Sequence, residues 1–195
     1  INLNSFNPSL GINYKITSRS RLFANISSGF ETPTLNEFSS SPIGSGFNNT
    51  LKSQKSLNFE FGLSLFNSLN NLNLNIVYFN SSTKNEVLSY EDENFPNQKF
   101  YNNAGKSKRS GFEMSSSIRI NESINIETTY SIGKYVFDEF IDKGNDYSGN
   151  KIPGVPDKVL TLGLEYRTKN ELFVNLNLKS IGDIYADNLN SVKIS

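Results

Sequence analysis

Apolar and polar residues alternate with a period of two along almost the whole chain, and this pattern limits the fold more than any other feature. Leu10, Ile12, Tyr14 and Ile16 are separated by Gly11, Asn13, Lys15 and Thr17. Successive side chains of a pleated strand point to opposite faces, so such a run makes a strand with one apolar face. The pattern returns in Leu57, Phe59, Phe61, Leu63 and Leu65 around Asn58, Glu60, Gly62 and Ser64, and in Leu72, Leu74, Ile76 and Tyr78 around Asn73 and Asn75. Further runs are Phe112 to Ile120, Ile124 to Tyr130, Leu160 to Tyr166 and Leu172 to Leu178. With a weaker strand from Leu22 to Phe30, about eight strands are predicted.

The connections alternate in length. Short polar turns fall at Thr17 to Arg21, Asn67 to Asn71, Asn121 to Ser123 and Thr168 to Glu171. Between them lie long, polar stretches containing Gly or Pro, at Glu31 to Lys55, Ser81 to Lys106 and Asp138 to Pro156. A hairpin of about 50 residues therefore repeats, with short turns on one side of the sheet and long loops on the other. Outer-membrane barrels have this asymmetry, with short periplasmic turns and long extracellular loops.

A soluble β-sandwich also alternates apolar and polar residues. Strands of about 9–11 residues suit a tilted bilayer crossing better than a sandwich, whose strands cluster near 5–6. The aromatics add a further expectation. Tyr14 and Tyr166 fall just before short turns, while Phe30, Tyr78 and Tyr130 are placed about eight to ten residues after one, as two interfacial girdles would require. No apolar run approaches the roughly 18 residues of a spanning helix, and Ile1-Asn2-Leu3-Asn4 has no signal-peptide blocks. Membrane strands expose only alternate residues to lipid, so a polar average does not argue against them.

The composition narrows the function. Formal net charge is zero and charged residues make up 19% of the 195 residues, so there is no basic field to gather nucleic acid. His and Cys are both absent, which removes the commonest general base, thiolate metal sites and disulfides. No cofactor is implied and no catalytic role is assigned. Glu60, Glu113 and Glu165 read as inward polar residues bridged to Lys or Arg in a hydrated lumen, with no nucleophile beside them.

Four stretches, in order, resemble the barrel of TonB-dependent receptors: Gly29-Phe30-Glu31-Thr32-Pro33-Thr34-Leu35-Asn36-Glu37; Leu51 to Gly62, with Ser53-Gln54 where that family has Pro-Glu; Asn103-Ala104-Gly105 followed by Gly111-Phe112-Glu113; and Ile152-Pro153-Gly154-Val155-Pro156. In the last, a basic or His residue usual shortly afterwards is represented only by Lys158. The resemblance implies that residues 1–195 are one partial domain of an all-β, antiparallel transmembrane barrel. Its parent would have 22 strands and a plugged lumen, with the N-terminal plug, energy-coupling box and closing strand outside this chain. It also implies a Gram-negative outer-membrane receptor that imports a scarce solute, a ferric siderophore or similar metal chelate, with TonB coupling through the missing region. A general porin or small structural barrel, and a soluble β-rich adhesion module, are the alternatives.

Within the Ser81 to Lys106 loop, Tyr90, Phe95, Phe100 and Tyr101 form the candidate ligand-facing cluster, because rigid rings give contact area at small entropic cost; self-packing of the loop is the competing reading. Tyr90-Glu91-Asp92-Glu93-Asn94 lacks the spacing and glycine of a calcium loop. Lys106, Lys108 and Arg109 follow as a basic stretch, solvated at the membrane rim or drawing lipopolysaccharide or an anionic chelate.

Overall fold

The computed structural model describes residues 5–41, 46–67, 71–92, 94–103, 105–142, 144–168 and 172–194. The predicted turn tips at 68–70 and 169–171, together with Ile1 to Asn4, Glu93 and Ala104, lie outside them. Eight long strands form one antiparallel sheet: β1 (Ser9–Thr17), β2 (Ser20–Glu31), β3 (Gln54–Asn67), β4 (Leu72–Lys84), β7 (Lys106–Arg119), β8 (Ile124–Glu139), β11 (Lys158–Arg167) and β12 (Phe173–Ile181). The sheet follows chain order and stays open, with β1 and β12 at its edges. Helix α1 (Leu35–Ser39), hairpin β5 (Val87–Asp92) with β6 (Phe95–Asn103), and the two-residue strands β9 (Ile141–Asp142) and β10 (Asn145–Asp146) lie in the long connections, while the two-residue strands β13 (Ile184–Tyr185) and β14 (Lys193–Ile194) follow β12.

Register turns the alternation into two faces. One ladder row runs Ile12, Ala24, Phe61, Tyr78, Phe112, Ile132, and another runs Tyr14, Leu22, Leu63, Ile76, Met114, Tyr130, Leu160. The row on the other face runs Lys15, Arg21, Ser64, Asn75, Ser115, Thr129, Thr161, Lys179. Nothing covers the apolar face: Leu10, Ile12 and Leu176 are 66%, 67% and 59% exposed. A sandwich would bury that face against a second sheet, and no second large sheet exists among the described residues.

The rows drift relative to the turns. The second apolar row crosses β1 three residues from its end at Thr17, β3 four from Asn67, β7 five from Arg119 and β11 seven from Arg167. Strands tilted around a barrel wall stagger in this way. Turn chemistry fixes the short ends locally. The Asn121 side-chain oxygen accepts from the Ser123 and Ile124 amides (2.8 and 2.9 Å), and the Thr17 hydroxyl accepts from the Arg19 amide (3.1 Å).

Two expectations need revision. Phe30 is the eleventh residue of β2, but Tyr78 and Tyr130 are each only the seventh of their strands, so these three do not share one girdle level. The inward face also carries rings unseen in the alternation. Phe23 lies across Gly62, where an added Cβ would come within 2.2 Å of the ring, and Tyr135 lies across Gly133, where it would come within 2.8 Å. Glycine is required there because the rings occupy the space a side chain would need.

Candidate functional site

Packing is concentrated at the long-loop end. Among the described residues, the buried hydrophobic ones are Leu51, Phe100, Phe137, Phe140 and Ile152. Phe137, Phe140 and Ile152 form a small core, with Leu88, Tyr135, Tyr147 and Val155 packed on it. Ring centroids stand 4.8 Å apart for Phe137 and Phe140, and 5.2 Å for Phe140 and Tyr147. Leu88 belongs to the β5–β6 hairpin and the others to β8 and the connection after it, so two long loops share one core. The Asn102 amide also donates to Asp142 (3.3 Å).

The hairpin divides the four candidate rings. Tyr90 is paired in register with Phe100, and Ser89 with Tyr101, so Phe100 and Tyr101 point to opposite faces. Phe100 is 1% exposed, with Tyr90 at 5.9 Å and Phe95 edge-on at 5.6 Å. Phe100 thus supports the other two rings instead of facing solvent itself. Tyr101 is half-buried, and its carbonyl accepts from the Asn48 side chain (3.1 Å), which belongs to the connection between β2 and β3. The Tyr90 phenol is pushed above its ordinary pKa, first by burial and then by the negative charges of Asp92 and Asp142. It therefore stays protonated at neutral pH and can donate a hydrogen bond. Asp92 closes the hairpin tip, accepting from the Asn94 backbone and side-chain amides (both 2.9 Å).

The basic stretch does not act as one patch. Lys106 and Lys108 face outward and pair with Glu139 (2.5 Å) and Asp138 (2.7 Å), whereas Arg109 faces inward. Arg109 donates to Thr83 (3.2 Å), Ser107 (2.8 Å) and Glu86, lining a polar pocket of about 420 Å³ with Gly29, Ser56 and Gln54. Glu60, Glu113 and Glu165 do face inward, but among the described residues none is bridged to Lys or Arg. Across the ladder they meet Asn25 and Phe79, Val77 and Ser131, and Asn125 and Asn175.

A family model described as TonB dependent receptor-like, beta-barrel, matches residues 2–195. The chain belongs to the TonB-dependent receptors. This chain is similar in fold to part of the siderophore receptor PiuA from Acinetobacter baumannii, at 23% identity and TM-score 0.72, covering 95% of this chain and 27% of that one. The ferric yersiniabactin uptake receptor FyuA from Yersinia pestis gives 20% identity and TM-score 0.70, with the same 95% and 27% coverage. A mutant of the ferric enterobactin receptor PfeA from Pseudomonas aeruginosa, in complex with enterobactin, gives 16% and 0.70, covering 97% of this chain and 31% of that one. The chain thus spans under a third of the length of these receptors. Members of the family are outer-membrane proteins of Gram-negative bacteria, transporters and not enzymes.

The receptor's four motifs supply local contacts that order its long-loop end. In the first, Thr34 and Glu37 make a capping box for α1: the Thr34 amide donates to Glu37 Oε2 (2.6 Å) and the Glu37 amide to the Thr34 hydroxyl (3.4 Å). In the second, Gln54 donates to Glu31 (3.1 Å) and accepts from the Val87 amide (3.2 Å). In the third, Asn103 Oδ1 accepts from the Lys52 amide (2.7 Å), while its Nδ2 donates to the carbonyls of Lys52 and Asn85 (both 2.8 Å). Gly105 allows close approach, since a Cβ there would lie 2.2 Å from the Glu139 carbonyl oxygen. In the fourth, Ile152 and Val155 enter the loop core, and Gly154, at φ +76°, donates its amide to the Tyr185 carbonyl (2.9 Å).

Proposed function

We propose that this chain is part of the wall and extracellular rim of a ligand-gated import receptor. In this reading the loops capture a ferric siderophore or similar metal chelate, and energy arrives from the TonB complex through regions outside this chain. The observation that carries the reading is the β5–β6 hairpin. It stands at the long-loop end, is tied to both neighbouring loops, and presents Tyr90 and Phe95 against the buried Phe100, with Tyr101 on the opposite face of the hairpin. Rings held by such packing lose little entropy when a ligand arrives, which makes them economical contacts. The related proteins are named for siderophore uptake, which supports a chelate as the cargo class.

The test uses purified full-length receptor with Tyr90, Phe95 and Tyr101 all changed to Ala, titrated with ferric hydroxamate, ferric catecholate and ferric citrate. The chelate that wild-type receptor binds should bind the variant more weakly by about 1–3 kcal/mol, as expected if two rings make contact. Maximal uptake at saturating chelate should largely survive, because the hairpin stands a full strand length from the short turns. Unchanged affinity removes the hairpin from the binding site. Normal affinity with lost maximal uptake assigns it to gating instead.

A further inference from the structure

The polar pocket around Arg109, at the long-loop end of the inward face, carries an unbalanced charge. It lies over one ladder row, Gly29 on β2, Ser56 on β3 and Thr83 on β4, and Arg109 reaches into it from β7. Glu31 lines it from the end of β2, and Glu86 from the link between β4 and β5. Two carboxylates therefore share about 420 Å³ with one guanidinium. Gly29 preserves that space, since a Cβ there would come within 2.4 Å of the Ser56 hydroxyl.

The hydrogen bonds inside the pocket define the group it lacks. Arg109 is already engaged, donating to Thr83, Ser107 and Glu86. Gln54 is engaged in both directions, with Glu31 and with the Val87 amide, and the Ser56 hydroxyl accepts from the Asn58 side chain (3.3 Å). Glu86 is only 8% exposed: its Oε1 takes the Arg109 bond, and its Oε2 has no hydrogen-bond partner among the described residues. A buried carboxylate oxygen without a donor is costly, and native structures rarely leave one unmatched. The unfilled capacity is that of an acceptor and the excess charge is negative, so the complement is a cation that carries N–H groups.

We propose that this pocket is a subsite for a primary ammonium or guanidinium group carried by the imported solute, with Glu86 and Glu31 as its charged partners. Either group brings one positive charge and several N–H donors, and hydrogen bonds between ionised partners are the strong ones. Its position suits a solute held at the rim. Glu86 directly precedes the β5–β6 hairpin, and the bond from the Val87 amide to Gln54 ties the start of β5 to the pocket wall. A solute resting on the hairpin's rings reaches the pocket with a cationic arm, whereas a purely anionic one meets repulsion there. The subsite rests on the import reading and adds to it that the cargo bears a basic group apart from its metal-binding atoms.

The experiment uses full-length receptor in dodecyl maltoside, with n-butylammonium as the probe and n-butanol as its neutral counterpart, read by saturation-transfer NMR against empty micelles. Butylammonium should bind above the micelle signal and butanol should not. E86Q keeps the shape and removes the charge, and should weaken butylammonium at least about tenfold. E31Q should weaken it severalfold, and because Glu31 is exposed this variant keeps the test decisive if E86Q fails to assemble, which heat-modifiable gel migration checks. No butylammonium binding by wild type, or equal binding by wild type and the Gln variants, overturns the subsite. The chelate that wild type takes up should displace butylammonium; a chelate that binds without displacing it overturns the assignment to the solute. Because the probe carries no metal chelate, binding that depends on Glu86 stands or falls separately from the effect of the ring substitutions on the hairpin.

Discussion

At the scale of single residues, two asparagines hold the outer end together by the same device. Asn103 makes a reciprocal pair with the backbone of Lys52, and Asn190 does the same with Lys151, its Oδ1 accepting the amide (2.7 Å) and its Nδ2 donating to the carbonyl (2.9 Å). A side-chain amide has the donor and acceptor arrangement of a peptide group, so each forms what amounts to one rung of a sheet, reaching a backbone segment outside the named strands. Asn190 also has φ +57°, a left-handed conformation that Asn tolerates better than most residues. Asn103→Ala leaves both backbone groups of Lys52 and the Asn85 carbonyl to find water, at about 1–3 kcal/mol for the local structure. In full-length receptor, amide exchange should accelerate at Lys52 and Val87 while amides in the middle of β3 and β4 stay protected. Uniform acceleration across the sheet would show that Asn103 matters to barrel assembly and not to the loops. The sequence makes Asn103 visible as a motif, yet its partner is 51 residues away, and no local pattern points from one to the other.

At the scale of the strand, the side of the sheet was legible and the height along it was not. Period-two alternation assigns each residue to a face with no knowledge of its neighbours, and the two faces in the structure are those expected for Leu72, Leu74, Ile76 and Tyr78 against Asn73 and Asn75. Height depends on where a strand ends, and the central strands outrun the bilayer: β3, β4, β7 and β8 have 14, 13, 14 and 16 residues. Their upper parts run past that length without breaking the alternation, so the alternation carries no mark of height, and Phe30, Tyr78 and Tyr130 stand at different positions along their strands. Inward Phe23 and Tyr135 were missed for a related reason, since a ring over a glycine is a cross-strand or next-nearest pairing and leaves no mark in one strand's pattern. Ile76 offers the cleanest test of facing, being five residues into β4 with Leu63 and Met114 beside it. In the intact barrel Ile76→Arg should cost about 2–4 kcal/mol near the bilayer midplane, and Asn75→Arg much less. Unfolding titrations in lipid measure both, and equal costs would reverse the assignment of faces.

For the whole molecule the question is what completes the sheet. Strands β1 and β12 are the two edges, and every residue of both is exposed along nine residues each. An edge of that length, without proline in the strand, is a template for pairing with any other chain. The apolar face adds a second liability, since large side chains from Leu10 on β1 to Leu178 on β12 stand uncovered, while the compact core found among the described residues lies above them among the loops. Hydrophobic burial, the main favourable term in folding, is therefore supplied mostly by surroundings that water does not provide. Residues 1–195 expressed alone should then give inclusion bodies or a species that needs detergent, and should not melt cooperatively as a soluble monomer. The loop core makes a finer distinction possible. Phe137, Phe140 and Ile152 are 0%, 3% and 7% exposed without help from lipid, so protease-resistant structure that survives in mild detergent should centre on the loops and not on β1 or β12. Limited proteolysis read by mass spectrometry would locate it. Protection that began at β1 and β12 would mean that the edges pair with each other or with a second copy, and that the sheet closes without the rest of the receptor.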